Sequence, residues 1–222
     1  MEREQKYGLL EELVDEWQDC DRCGLCKSRN SVVFGEGDPS AKLMIIGEAP
    51  SESDDNEGNP FTGNSGNLLD KFLRSFGSNR DEVFITNAVG CRPTKDGKNR
   101  APTAKELEAC RERLHRTIEI VDPVVILLLG STAVKALVKG IRSITSVAND
   151  PTVPRLTAIT EGQCIKVSRT ALATFHPSYL LKHTQEVEGS PMHRSFETWN
   201  KAFALVDTYK EIYWGEMPPD RG

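Results

Sequence analysis

The sequence predicts an α/β protein, a three-layer α/β/α domain with a central, mainly parallel four-stranded sheet. Three observations lead there. Short apolar segments without alternation stand at 42–50, 82–91, 122–131 and 171–180, the pattern of strands buried on both faces. Segments with helical spacing separate them, and alternation of the two implies parallel strands joined by helical crossovers. Each apolar segment then breaks into small or polar residues, as strands entering functional loops do.

Residues 3–18 read as a helix because Leu9, Leu10, Leu13, Val14 and Trp17 form one apolar stripe. "KLMIIGEAP" is the first buried strand, and "GNPFTGNSGN" is a glycine-rich loop. Leu68, Leu69, Phe72, Leu73 and Phe76 mark a helix that Gly77 ends. "EVFITNAVGC" is the second strand. Thr103 and Glu106 form a capping box that opens a helix with Leu107, Cys110, Leu114 and Ile118 inward. "DPVVILLLGS" is the third strand and runs into the helix "TAVKALVKG". Residues 141–163 show no period and hold Pro151 and Pro154, so an irregular excursion or a small hairpin is expected. "ALATFHPSYL" is the last strand, ending at His176-Pro177, and about 191–213 is a helix with Phe196, Trp199, Phe203 and Val206 inward. With no repeat and no linker, 1–222 is expected to be one domain, with a cysteine-bearing segment inside 1–40.

Composition narrows the function classes. Hydrophobic content of 38% and charged content of 27% exclude a disordered chain. No apolar run reaches the ~18 residues of a membrane helix, and the charged start "MEREQKYGLLEELVDEW" lacks a signal-peptide core. The expected location is the cytoplasm, without membrane association. There, six cysteines point to metal ligands, reactive thiols or buried small hydrophobes and not to a disulfide framework. A net charge of −5 argues against a nucleic-acid binder without excluding one, since binding depends on local patches. Two local basic groups stand against it, Lys95, Lys98 and Arg100 in a loop and Arg111, Arg113 and Arg116 on a helix. Both also read as solvated faces.

The strand ends carry Glu48, Asn87, Gly130-Ser131 and His176-Pro177-Ser178. In parallel sheets these ends converge, so they mark the expected site. Cys20-x2-Cys23-x2-Cys26 places thiols on a tight turn, a spacing that suits a tetrahedral sulfur site for zinc or an iron–sulfur cluster.

"FGEGDPSAKLMIIGEAP", "GNPFTGNSG", "FITNAVGCRP" and "FHPSYLLK" occur in this order between Cys20 and Lys182. Together they resemble the family 4 uracil-DNA glycosylases. The resemblance implies excision of uracil from DNA by hydrolysis of the N-glycosidic bond, the first step of base excision repair. It implies a [4Fe-4S] cluster held by Cys20, Cys23, Cys91 and Cys110, with Cys26 and Cys164 outside it. Such a cluster would staple the N-terminal segment to the loop and helix after the second strand. The partner implied is uracil-containing DNA, single- or double-stranded, met by a monomer.

The chemistry then assigns expectations residue by residue. A flipped uracil leaves as an anion while the sugar gains oxocarbenium character. His176 is expected to stabilise the anion at the pyrimidine O2. Asn87 is expected to read O4 and N3–H, and Phe61 to stack on the base. The backbone of Glu48, Ala49 and Pro50 is expected to line the pocket. Another branch of the superfamily carries an aspartate at the Ala49 position to assist water attack; here Glu48 and Asp54 are the candidates. Asp54 lies in "SESDDNEG", which reads equally as a solvated acidic face. Ser65 at a helix start, Ser178, and Tyr179, Leu180 or Leu181 as a wedge are expected to meet DNA. The family commonly has glycine at Ser51 and Pro-Ala at Asn64-Ser65; Ser51 bears on rejection of thymine. Two other readings compete: a glycosylase of the same fold acting on another modified base, and a DNA-binding, replication-associated module with little activity.

Overall fold

The computed structural model describes residues 1–137, the strand residues 157–158 and 167–168, and residues 170–214. Helix α1 (Arg3–Trp17) leads by a turn at Gly24–Lys27 to β1 (Glu36–Gly37) and β2 (Leu43–Gly47). Helices α2 (Glu52–Glu57) and α3 (Asn64–Ser75) follow, then β3 (Phe84–Asn87). A small ribbon, β4 (Thr94–Lys95) and β5 (Lys98–Asn99), precedes α4 (Ala104–Val121), β6 (Val125–Leu129) and α5 (Ser131–Leu137). The paired strands β7 (Thr157–Ala158) and β8 (Val167–Ser168) lead to β9 (Thr170–Thr174), the one-turn α6 (Pro177–Leu180) and the long α7 (Pro191–Trp214). Of the stretch 141–163 only Thr157–Ala158 is described, paired antiparallel with Val167–Ser168; the rest of that stretch and Cys164 lie outside the described residues.

The main sheet has five strands in the order β1-β3-β2-β6-β9, which corrects the expected four. The four apolar strands are parallel, and the fifth is the antiparallel edge β1, where Glu36 faces Ile85. β1 has two residues, Glu36 and Gly37, and follows Gly35; both glycines are at positive φ. A strand that short carries no alternation to read.

Alternate residues of each strand face opposite layers. Met44, Ile46, Ile126 and Leu128 pack with Leu114 and Ile118 of α4 and with α5. Leu43, Ile45, Leu127 and Leu129 pack with Leu69 and Phe72 of α3 and Trp199 of α7. Helix α1 is laid outside α4 through Leu13, Trp17 and Ile120. Register sets Gly47 beside Asn87 and Leu129 beside Thr174. The carboxyl ends of all four parallel strands therefore open on one edge.

Candidate active site

A cleft of about 400 Å³ opens at that edge. Asn87 ends β3, is 2% exposed, and lines the cleft with Phe61 and His176. Its Nδ2 has no hydrogen-bond partner among the described residues. A buried donor without an acceptor costs about 1–3 kcal/mol, so this amide is poised for a ligand. Phe61 lies with its ring centroid 5.9 Å from that of His176, at 25°. Its backbone sits at φ 56°, unusual for a bulky side chain. Two contacts hold it there. Arg80 donates to the carbonyls of Pro60 (3.1 Å) and Phe61 (2.7 Å), and is itself anchored by Asp70 and Glu36. Gly66 leaves room for the Phe61 carbonyl, which a Cβ would meet at 1.6 Å.

His176 is the N-cap of α6, with Pro177 in the first turn. The backbone N–H of Ser178 donates to His176 Nδ1 at 3.2 Å, and the Ser178 hydroxyl lies 2.9 Å from the same nitrogen. Nδ1 is thus an acceptor, and the proton of the neutral ring sits on Nε2. Burial pushes the His176 pKa down to about 4, with Asp54 opposing. At neutral pH the ring is an uncharged donor.

Asp54 is not part of a solvated run: it is 5% exposed and lines the cleft. Its carboxylate accepts from Ser51 N–H (2.9 Å), Thr62 N–H (2.8 Å) and the Thr62 hydroxyl (2.9 Å). It therefore ties the Phe61 loop to the start of α2. Ser51 caps that helix and bonds Ser53 at 3.0 Å, so its hydroxyl is engaged. The Glu48 carboxylate accepts from the Thr132 hydroxyl at the start of α5, while Ala49 lines the cleft. Pro50 is buried beside it. Sequence reasoning missed Asn99, which reaches the cleft from the β4–β5 ribbon, because a two-residue strand in a basic loop carries no periodic signal.

Ser65 lines the cleft at the first turn of α3. Tyr179 and Leu181 are exposed, at 42% and 43%, but Leu180 is 1% exposed and belongs to the core, which corrects its place among surface residues. The one-turn α6 turns Leu180 inward against the sheet layer. The expected second basic group is not a surface patch either. Arg111 pairs with Glu108, Arg116 with Glu16, and Arg113 is fully buried. Lys95 and Lys98 are exposed on the ribbon, whose Arg100 grips Glu106 through two bonds of 2.6 and 2.8 Å.

Away from the cleft mouth the cysteines gather. Cys91 and Cys110 pack with Leu25, Val89 and Cys23 in one cluster. Burial pushes the Cys91 thiol up to about 11, with Arg29 opposing and Cys110 and Cys23 adding to the rise. The Cys23 thiol is raised by burial and by Cys110 and Cys20. Arg29 reaches Cys91 Sγ at 3.6 Å and also bonds the Cys20 carbonyl. Cys26 is not among the residues packed in that cluster. Among the described residues no three ligating side chains converge closely enough for a single ion. Cys23, Cys91 and Cys110 pack together and Cys20 acts on Cys23, a set of thiols that suits a larger group whose irons each take one sulfur. The donor set fits a cluster.

A family model described as "Uracil DNA glycosylase superfamily" matches residues 34–204. The chain is 39% identical to the type-4 uracil-DNA glycosylase of Thermotoga maritima over 176 residues, 79% of this chain and 84% of that protein. It is 43% identical to the type-4 enzyme of Sulfurisphaera tokodaii over 127 residues, 57% of this chain and 56% of that protein. A type-5 uracil-DNA glycosylase of Pyrobaculum aerophilum is 28% identical over 209 residues, covering 80% and 86% of the two chains.

Proposed function

The chain belongs to the uracil-DNA glycosylase superfamily, and from that premise we propose that the cleft receives a uracil flipped out of DNA and hydrolyses its bond to the sugar, initiating base excision repair. The observation that carries this reading is the buried, unpartnered Asn87 amide between Phe61 and His176. Uracil offers an acceptor at O4 and a donor at N3, which one primary amide satisfies together. Cytosine offers the opposite pair. Phe61 supplies the face on which the base stacks, held in place by Arg80 and the Asp54–Thr62 contacts.

As the bond breaks, negative charge gathers on the base. His176 Nε2–H is the donor for it at O2; a preorganised neutral donor stabilises the anion without first having to gain a proton. The sugar becomes cationic, and Asp54, the buried one of the two carboxylates lining the cleft, opposes this charge and orients water. Glu48, held by Thr132, supports the loop from behind. Ser65 and the first turn of α3 face a DNA phosphate, with Ser178 at a second and Tyr179 or Leu181 filling the vacated stack.

The cysteines support a [4Fe-4S] cluster on Cys20, Cys23, Cys91 and Cys110. Bound there, it would cross-link the N-terminal segment to the loop after β3 and to α4. Around it this chain's residues do the positioning. Asp55 accepts the backbone N–H of Asn30 (3.0 Å) and Ser31 (3.4 Å), tying the cysteine segment to α2. The thiol-rich composition suits a cytoplasmic setting, and the protein acts as a monomer on either strand form.

The test is incubation with matched oligonucleotides holding uracil, thymine or cytosine, single- and double-stranded, followed by alkali. Cleavage at uracil is expected. An intact uracil strand would refute the reading.

A further inference from the structure

Arg113 is the one fully buried arginine among the described residues, with 0% exposure. It projects from α4, one turn after Cys110. Its Nη2 donates to the Asn87 carbonyl at 2.6 Å, and Nη1 donates to the Phe34 carbonyl at 3.3 Å and lies 3.5 Å from Thr86 Oγ1. Nε has no acceptor. No carboxylate among the described residues pairs with it. The ionisable groups that act on it most strongly are Cys110 and Cys91. A Cβ at Gly90 would stand 3.2 Å from Nε and 3.2 Å from Val32, so the guanidinium is seated closely against the bare Gly90 backbone.

A guanidinium does not lose its proton in a protein. An unpaired buried charge is among the costliest features a fold can carry. Backbone carbonyls satisfy its hydrogens in part, but a neutral donor would do that with no charge to bury. What the site lacks is an anion, and thiols flank it on two sides: Cys110 one turn earlier on α4 and Cys91 next in the chain to Gly90, which abuts Nε. An iron–sulfur cubane with four thiolate ligands is a net anion.

We propose that Arg113 is the buried counter-ion of the thiolate cluster and, through its bond to the Asn87 carbonyl, the positioning residue that couples the cluster to base reading. The inference rests on the cluster assignment. The same guanidinium that faces Cys110 and Cys91 holds the backbone of the residue whose amide meets the base. Filling the thiol site fixes the cation, and the cation fixes the end of β3.

The test uses the full-length protein as purified, with Arg113→Lys, Arg113→Gln and Arg113→Met. Iron per chain and visible absorbance are recorded first; iron-free, colourless wild type would sink the cluster assignment itself. In brown proteins, bleaching by ferricyanide reads the counter-ion. Removing a neighbouring cation makes the cluster easier to oxidise, so Gln and Met should bleach at least about tenfold faster than wild type, with Lys slower than both. Gln bleaching as slowly as Lys would overturn the counter-ion role, and this comparison stands even if Met does not fold. Single-turnover excision per loaded cluster reads the coupling. It should fall at least about tenfold in Gln and Met with DNA affinity unchanged, and the preference for uracil over cytosine should narrow. Wild-type excision and preference in an iron-loaded Gln or Met variant would overturn the positioning role.

Discussion

Gly47→Ala isolates the geometry of the base pocket in one methyl group. Gly47 ends β2 and lies beside Asn87 in register. It is not among the positive-φ glycines, so alanine meets no backbone strain there. The added Cβ would instead stand 2.3 Å from Asn87 Oδ1 and 2.5 Å from Phe61 Cζ. Ordinary contacts begin at about 3.4–4 Å, so the amide and the ring must each retreat by about 1 Å. Both are nearly buried, Asn87 at 2% and Phe61 at 5% exposure, so the space left for the retreat is the cleft they line, where the base must sit. Overpacking of this kind costs about 1–3 kcal/mol of stability. A shift of about 1 Å in a reacting constellation costs about 10²-fold in rate. The assay is single-turnover release of uracil with enzyme in excess, beside urea unfolding. Gly8→Ala is the control: Gly8 lies in α1 with nothing within 4 Å, and alanine there should add up to about 1 kcal/mol through helix propensity without touching the rate. A Gly47→Ala protein with wild-type rate would show that Asn87 and Phe61 do not jointly define the base site.

His176→Ala should cut the single-turnover rate by about 10²–10³ and leave DNA affinity nearly unchanged, because phosphate contacts dominate binding; loss of binding with a normal maximal rate would move His176 out of catalysis. With a folded pKa near 4, His176 remains a neutral donor at pH 5–8, so its contribution to the rate should be flat there, and a rise toward low pH would mean the imidazolium is required. Its depressed pKa also gives a sign for stability. Between about 4 and its ordinary 6.5 the unfolded chain binds the extra proton, so the stability present above pH 6.5 should decline as pH falls toward 4. Asn87→Asp removes the N–H₂ donor and should lower uracil excision at least about tenfold, with weak cytosine excision emerging at lower pH; full uracil activity would show that Asn87 does not read the base. Cys20→Ala, Cys23→Ala, Cys91→Ala and Cys110→Ala should each lower iron content measured by metal analysis, whereas Cys26→Ala should not, and the reverse pattern for Cys26 and Cys110 would overturn the ligand set.

The strands were legible because burial on both faces demands unbroken apolar runs, and "KLMIIG" and "VVILLLG" satisfy that locally. Thr103 and Glu106 announced α4 for the same reason: a cap is made by neighbours in sequence, and both capping bonds are present. The convergence of Asn87 and His176 followed from the rule that parallel strands end on one edge. Local pattern failed where the decisive neighbour is distant. Asp54 in an acidic run looks solvated until Thr62 and the Ser51 backbone enclose it. Leu180 looks available to DNA until α6 turns it into the core. Arg113 looks like one more surface cation of α4; only the return of β3 and the cysteine loop around that helix makes it a buried charge held by Asn87, 26 residues earlier. The sequence by itself determined which segments are strands and helices and which strand ends carry chemistry, because those follow from periodicity and spacing. Burial of single polar groups was decided by tertiary structure alone, because it depends on what packs against them from elsewhere in the chain.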